Sequence, residues 1–339
     1  MQPSASGQFA PGAGGASLQA LGRVPAGTGN EVIEIAFVNN MPDQAVRATQ
    51  EQFTRIIEAG AGSLPFRLKC YTLPGVPRSD ETRAFLQQSY DDIGELYGRG
   101  ADALIVTGTE PRAALLTGEP YWAEFTRLID WSRSHTFASI WSCLAAHVVV
   151  QHLDGIARQK AARKFSGVYA FNTNGGDWPM RGAGPQILVP HSRHNGIARD
   201  DLERCGYTIS AWSETIGADT FWRREPSYFL FLQGHPEYNA DTLLREYRRD
   251  VIRFLNGERD AYPNVPDNYF SPRTLARLES LRERALAQRN SGCQDSLNEI
   301  LFSEILSLRW SDHAVQLYHN WLSVVAREKR RAALQCVAR

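Results

Sequence analysis

The sequence has no excess of charge of either sign: Lys+Arg and Asp+Glu both number 37 in 339 residues. No nucleic-acid partner is therefore expected, because that recognition needs a clustered basic face. No apolar run approaches the roughly 18–20 residues that span a bilayer, so no membrane partner is expected either. The five cysteines (Cys70, Cys143, Cys205, Cys293, Cys336) are scattered and odd in number. They read as reduced thiols of a cytoplasmic protein, not as a disulfide framework. No Cys/His spacing matches a metal site; His191 and His194 stand three apart, but no cysteine or acid pair completes a ligand set. Residues 1–30 are rich in Gly, Ala, Pro, Ser and Gln with one arginine, lack the apolar content for a core, and are expected to be disordered. They also lack the charged and apolar regions of a signal peptide and the several arginines of a transit peptide. No internal repeat is visible.

From Glu31 onward, strand and helix patterns alternate. Residues 32–38 read as a largely apolar strand, 45–59 as a helix with Phe53, Ile56 and Ile57 on one face, and 66–71 as a second strand. Residues 80–97 read as a helix, 103–106 as a third strand, 121–134 as an amphipathic helix and 137–141 as a fourth strand. This alternation predicts an α/β fold with a mostly parallel sheet flanked by helices, and a site at the carboxyl ends of its strands. Residues 164–232 are β-rich, with strands around 168–171, 187–189, 207–212 and 228–232; the last leads to His235. A helix over 242–255 and two more around 274–288 and 312–333 follow. The expected organisation is a disordered extension over 1–30, a catalytic domain over 31–270, and a helical C-terminal extension over 271–339 packing on it.

One segment carries the chemistry. Ser139-Ile140-Trp141-Ser142-Cys143 is a β-type run ending in a cysteine, and Leu144-Ala145-Ala146-His147 starts a helix. A cysteine at a strand-to-helix turn faces the positive end of the helix dipole, which favours the nucleophilic thiolate. The same turn aims the Leu144 N–H at an incoming carbonyl oxygen, with a second donor from the Gly108–Thr109 loop, through Thr109. Downstream stands Gly234-His235-Pro236-Glu237-Tyr238, a candidate base with an acid two positions on. In extended chain those two residues share a face, so Glu237 can orient His235. Cysteine, histidine and acid together point to covalent acyl transfer. Pro190-His191-Ser192-Arg193 offers a hydroxyl and a guanidinium suited to a carboxylate. Lys164, Arg248 and Arg249 are weak candidates on their own.

These segments are joined in order by Asn40-Met41-Pro42, Thr107-Gly108, Tyr121-Trp122, Asp130-Trp131, Lys164-Phe165-Ser166-Gly167-Val168, Glu246-Tyr247-Arg248-Arg249-Asp250, Asn268-Tyr269-Phe270 and Asn320-Trp321-Leu322. The set resembles the homoserine O-acyltransferase family of methionine biosynthesis, whose members are related to class I glutamine amidotransferases. The resemblance covers roughly residues 31–270 and 310–325. It implies a flavodoxin-like, amidotransferase-like sheet and no permanently bound cofactor. It implies small-molecule partners, an acyl-CoA co-substrate and L-homoserine, in a homodimer. Cys143 would take the acyl group as a thioester, and His235, oriented by Glu237, would activate the acceptor hydroxyl. Lys164, Ser192 and Arg249 would contact substrate, with Arg193 beside them. The position linked in the family to acyl-donor choice holds Arg112. Glutamate there goes with acetyl-CoA and glycine with succinyl-CoA; an arginine can pair with a succinyl carboxylate, worth about 1–3 kcal/mol once desolvated. The expected activity is homoserine O-succinyltransferase. Homoserine or serine O-acetyl transfer, or hydrolysis of an amide by the same three residues, stays open at this point. Against the hydrolase, Cys143 lacks the flanking glycines of the amidotransferase Gly-x-Cys-x-Gly elbow. The chain also departs from the family pattern at Asp43-Gln44, Thr109-Glu110, Leu144 and His147.

Overall fold

The computed structural model describes residues 32–337. Five strands run parallel: β1 (Ile33–Val38), β2 (Phe66–Tyr71), β3 (Ala103–Thr107), β4 (Ala138–Ser142) and β9 (Ser227–Leu232). Four pair antiparallel: β5 (Gln159–Thr173), β6 (Gln186–Gly196), β7 (Thr208–Ser213) and β8 (Gly217–Glu225). Together they form one sheet in the order β2-β1-β3-β4-β9-β8-β7-β5-β6. The inner strands are buried on both faces, which is why β3 reads as a continuous apolar run instead of an alternating one.

The helices are α1 (Val46–Ala61), α2 (Asp80–Ser89), α3 (Ile93–Arg99), α4 (Trp122–His135), α5 (Leu144–Asp154), α6 (Arg199–Arg204), α7 (Thr242–Leu255), α8 (Pro272–Ala287), α9 (Ser291–Phe302) and α10 (Ser311–Val337). α4 and α5 pack on one face of the sheet with Phe125, Leu128, Trp141 and Val149. α1 and α10 pack on the other with Phe37, Phe53, Ile57, Trp310, Tyr318 and Trp321. α1 and α10 cross so closely that a Cβ on Gly60 would lie 2.6 Å from Tyr318 Cβ. Trp310, Leu317, Trp321 and Leu322 are internal, at 0–1% exposure. Buried side chains of tryptophan size contribute about 3–5 kcal/mol each. α10 thus shares its core with β1 and β2, whereas α8 and α9 pack with α7 around Tyr247, Val251, Leu278, Leu281 and Leu297. No helix among the described residues is long and apolar enough to cross a membrane.

Several elements differ from the sequence reading, the short helix α6 among them. The single helix expected over 80–97 is two, because Asp92 caps α3 through Gly94 N (2.7 Å) and Tyr90 turns inward to meet Asn39 Nδ2 (2.9 Å). Strand β8 was not expected: its second half is charged, and those charges are taken up by Arg223 on Asp154 (3.0 Å) and Glu225 (3.1 Å). Helix α9 was also not expected, since its first turn is polar; Asn290 caps it by accepting from Cys293 N (3.0 Å). Residues 1–30, expected to be disordered, lie outside the described residues.

Candidate active site

The carboxyl ends of β1, β3, β4 and β9 meet at one edge. Asn40, just past β1, donates from its backbone N–H to Thr107 Oγ1 (2.8 Å) and from Nδ2 to Thr107 O (3.1 Å), and accepts at Oδ1 from Leu73 N (3.0 Å). One buried amide thereby ties together the loops after three strands. At the end of β4, Cys143 turns the chain with φ 53° and ψ −114°. Among the described residues only Asn268 shares a positive φ without being glycine. Such a conformation costs about 1–3 kcal/mol and persists only where its surroundings hold it. Here Cys143 N donates to Leu232 O (2.7 Å) and Cys143 O accepts from Ala146 N (3.0 Å). Cys143 is the only residue between 141 and 150 that is not buried. The elbow therefore presents the sulfur and little else.

The loop after β3 lies directly on this elbow. A Cβ on Gly108 would sit 2.3 Å from Leu144 Cβ and 3.0 Å from Ala145 N. That contact places the Thr109 backbone beside the first turn of α5, where the oxyanion donors Leu144 and Thr109 were expected. His235 stands on the exit of β9. Its Nδ1 is 2.8 Å from Glu237 Oε1, both residues are buried, and its ring stacks on Tyr238 at 4.3 Å and 13°. Burial works to lower the pKa of this ring. Glu237 and the Cys143 sulfur outweigh it and hold the pKa well above the ordinary 6.5. With Nδ1 on Glu237, the other ring nitrogen serves the sulfur.

On the far side of His235 a polar network fills the space between β5, β6 and α7. Glu246 is its hub. Oε1 accepts from Tyr238 Oη (2.8 Å), Oε2 accepts from Ser192 Oγ, and Lys164 Nζ lies 3.6 Å away. Lys164 is also 3.9 Å from Asp250, and Arg249 lies across Asp250 Oδ1 with Nε at 3.0 Å and Nη2 at 2.9 Å. Lys164, Ser192 and Arg249 are thus brought together. Glu246 and Asp250 were quoted from the sequence only as part of a motif. Their spacing of four on α7, with Arg249 three from Glu246, was the available signal, because residues three or four apart share a helix face. Arg248 turns away and donates to Asn298 of α9 (2.7 Å).

Arg193 does not fit its expected substrate role. It is buried, and its guanidinium is fully engaged: Nε donates to His191 Nδ1 (3.1 Å), Nη1 to Asn195 O (2.7 Å) and Nη2 to Ile216 O (2.6 Å). It braces β6 against the β7–β8 turn instead. Arg112 is exposed, with no side-chain hydrogen bond or ion pair among the described residues. Its loop is fixed nonetheless, since buried Glu119 accepts from both Arg112 N and Ala113 N at 2.6 Å. Among the described residues no three His, Cys, Asp or Glu side chains gather as metal ligands.

His147, one turn into α5, is fully buried. Burial, with Arg193 and Arg158 adding to it, pushes its pKa down to about 3; His191 is likewise lowered to about 4, chiefly by burial. Both rings are neutral in the native state near pH 7, and unfolding frees them to bind protons at the ordinary 6.5. Stability is therefore complete above pH 6.5 and falls as pH drops toward the native values, by about 1.4 kcal/mol per unit and per ring. His147→Gln is expected to flatten the fall in Tm between pH 6.5 and 4; an unchanged slope would show that His147 does not drive it.

A cysteine elbow at the carboxyl edge of the parallel half of a mixed sheet, with a His–Glu pair at the end of the neighbouring strand, defines an α/β protein with a cysteine–histidine–glutamate site. Sequence comparison narrows that class. The chain belongs to the homoserine O-succinyltransferase family, whose model matches residues 28–331. A homoserine O-succinyltransferase of Rhodopseudomonas palustris is 44% identical over 297 residues, 88% of this chain and 89% of that protein. One from Bradyrhizobium japonicum is 42% identical over 296 residues, 87% of this chain and 90% of that protein. Among solved structures, a glutamine amidotransferase of Thermotoga maritima aligns at a TM-score of 0.42 and 14% identity, covering 80% of this chain and 99% of that one.

Proposed function

We propose that this protein transfers a succinyl group from succinyl-CoA to the γ-hydroxyl of L-homoserine, by way of a thioester on Cys143. The observation that carries the reading is the Cys143 elbow, with His235 held between the sulfur and Glu237. In the resting site the raised pKa of His235 keeps a proton on the ring opposite the sulfur. The Cys143 thiolate attacks the thioester carbonyl, whose developing oxyanion lies against the Leu144 and Thr109 N–H groups. The tetrahedral intermediate expels the CoA thiolate, which takes the proton from His235 and leaves as free thiol. Acylation removes the sulfur's negative charge, one of the two causes that held the proton on His235. The ring is now a neutral base. It accepts the proton of the homoserine hydroxyl as the oxygen attacks the acyl carbon. Collapse of the second intermediate returns the Cys143 thiolate beside a protonated His235, and the cycle closes with protons balanced.

Arg249 is the group for the acceptor's α-carboxylate, because its planar fork matches a carboxylate and about half of its side chain is open to solvent. Lys164 and Ser192, held on Glu246, line the same space. Arg112 projects from the braced loop on the donor side and is the group for the succinyl carboxylate. The test is intact mass after mixing with succinyl-CoA or acetyl-CoA in the absence of acceptor. A one-succinyl mass gain with succinyl-CoA, discharged by homoserine, is expected. An adduct formed from acetyl-CoA alone would reassign the donor, and no adduct together with no CoA release would overturn the reading.

A further inference from the structure

The loop bearing His235 is held from the antiparallel half of the sheet by a buried carboxylate outside the reacting groups. Asp219 on β8 is 2% exposed. Its Oδ1 accepts from Gly234 N (2.8 Å), its Oδ2 from Thr220 Oγ1 (2.7 Å), and its backbone O from Gln233 N (3.0 Å). His191 on β6, wholly buried, places Nε2 at 3.1 Å from Asp219 Oδ1. Its Nδ1 accepts from Arg193 Nε, so the ring proton is on Nε2, toward the carboxylate. Gly234 sits against this pair without clearance: a Cβ there would lie 2.7 Å from both Asp219 Oδ1 and His191 Nε2. On the other side of the Gly234–His235 peptide unit, His235 N donates to Pro190 O (2.8 Å), the residue before His191. Two backbone hydrogen bonds thus set where the imidazole stands, while Glu237 sets its rotation.

Burying a carboxylate costs several kcal/mol unless donors and charge surround it. The Arg193–His191 chain supplies both, so it accounts for the full engagement of Arg193 as well as for Asp219. Packing alone would be served by an apolar residue.

We propose that Asp219 is a positioning residue for catalysis: through the Gly234 N–H it holds the His235 imidazole in line with Cys143, and His191 and Arg193 keep its carboxylate in place. The inference rests on the Cys143–His235 reading above. Misplacing a reacting group by about 1 Å costs about 100-fold in rate. Asp219→Ala is expected to slow the first burst of CoA release from succinyl-CoA about 30- to 100-fold, with KM for succinyl-CoA within about threefold of wild type. Asp219→Asn keeps an oxygen for Gly234 N and is expected to restore the burst to within about threefold. Thr220→Val frees Oδ2 at nearly constant volume and is expected to slow the burst about 3- to 10-fold. A folded Asp219→Ala with a wild-type burst, or an Asp219→Asn as slow as Asp219→Ala, overturns the proposal. Where Asp219→Ala does not fold, an unchanged burst in Thr220→Val overturns it. A wild-type protein that releases no CoA instead overturns the underlying reading.

Discussion

Replacing Cys143 by alanine leaves a folded protein that takes up no succinyl group and turns over at least about 10⁴-fold more slowly than wild type. The size of the effect follows from the geometry. The sulfur is the one partly exposed group in the buried run 141–150, and it is the charge partner of His235. Among the described residues no other cysteine stands at an elbow: Cys70 is partly buried and its thiol pKa is pushed up to about 12 by burial and Asp91, while Cys293, in α9, is buried in the cluster that α9 forms with α7 and α8. Alanine keeps the Cβ and the same backbone, so the strain at φ 53° is unchanged and the fold is retained. The measurement is paired: intact mass after succinyl-CoA, and kcat with homoserine. An adduct that persists in Cys143→Ala would place the nucleophile elsewhere.

The second large effect belongs to a residue with no side chain. Gly108→Ala puts a methyl 2.3 Å from Leu144 Cβ and 3.0 Å from both Leu144 Cα and Ala145 N. These atoms are the backbone and first side-chain carbon of the turn that carries Cys143, and they cannot swing aside. The β3 loop cannot yield freely either, because Asn40 holds Thr107 by two hydrogen bonds. The loop must shift away from the elbow, taking the Thr109 N–H with it. The expected result is a loss of about 100-fold in kcat/KM and about 1–3 kcal/mol in stability. Gly98→Ala in α3, where a new Cβ meets nothing within 4 Å, is the control. It is expected to leave activity unchanged and stability equal or higher by up to about 1 kcal/mol. Equal activity in the two variants would show that the Gly108 contact does not position the oxyanion donors.

The parts of this site that were legible in the sequence share one property: they are local. The Cys143 elbow is a strand followed at once by a helix, and the His235–Glu237 pair is two residues on one face. Period, spacing and residue type are enough for such features, and the same is true of β1 and β3, whose buried apolar runs cannot be placed in solvent, and of the alternating edge strand β2. Features assembled from distant segments were not legible. Arg193 looked like a ligand for a carboxylate because its motif places it beside Ser192. Alternation along β6 puts the two on opposite faces, and the hairpin turn at Ile216 closes over the guanidinium. Asp219 lies in a strand whose charged second half hid it. Glu246 became a hub only when Ser192, Tyr238 and Lys164 were folded onto α7.

The sequence by itself determined the fold class, the order of the candidate catalytic groups and the cysteine elbow, because these depend on backbone preference and hydrophobic pattern over short windows. Tertiary structure alone decided which arginines stay exposed and which brace strands, which acid lies behind the His235 loop, and that α10 closes the sheet. Those outcomes depend on burial and on pairings between residues far apart in the chain, where desolvation selects the partner and no local pattern records it.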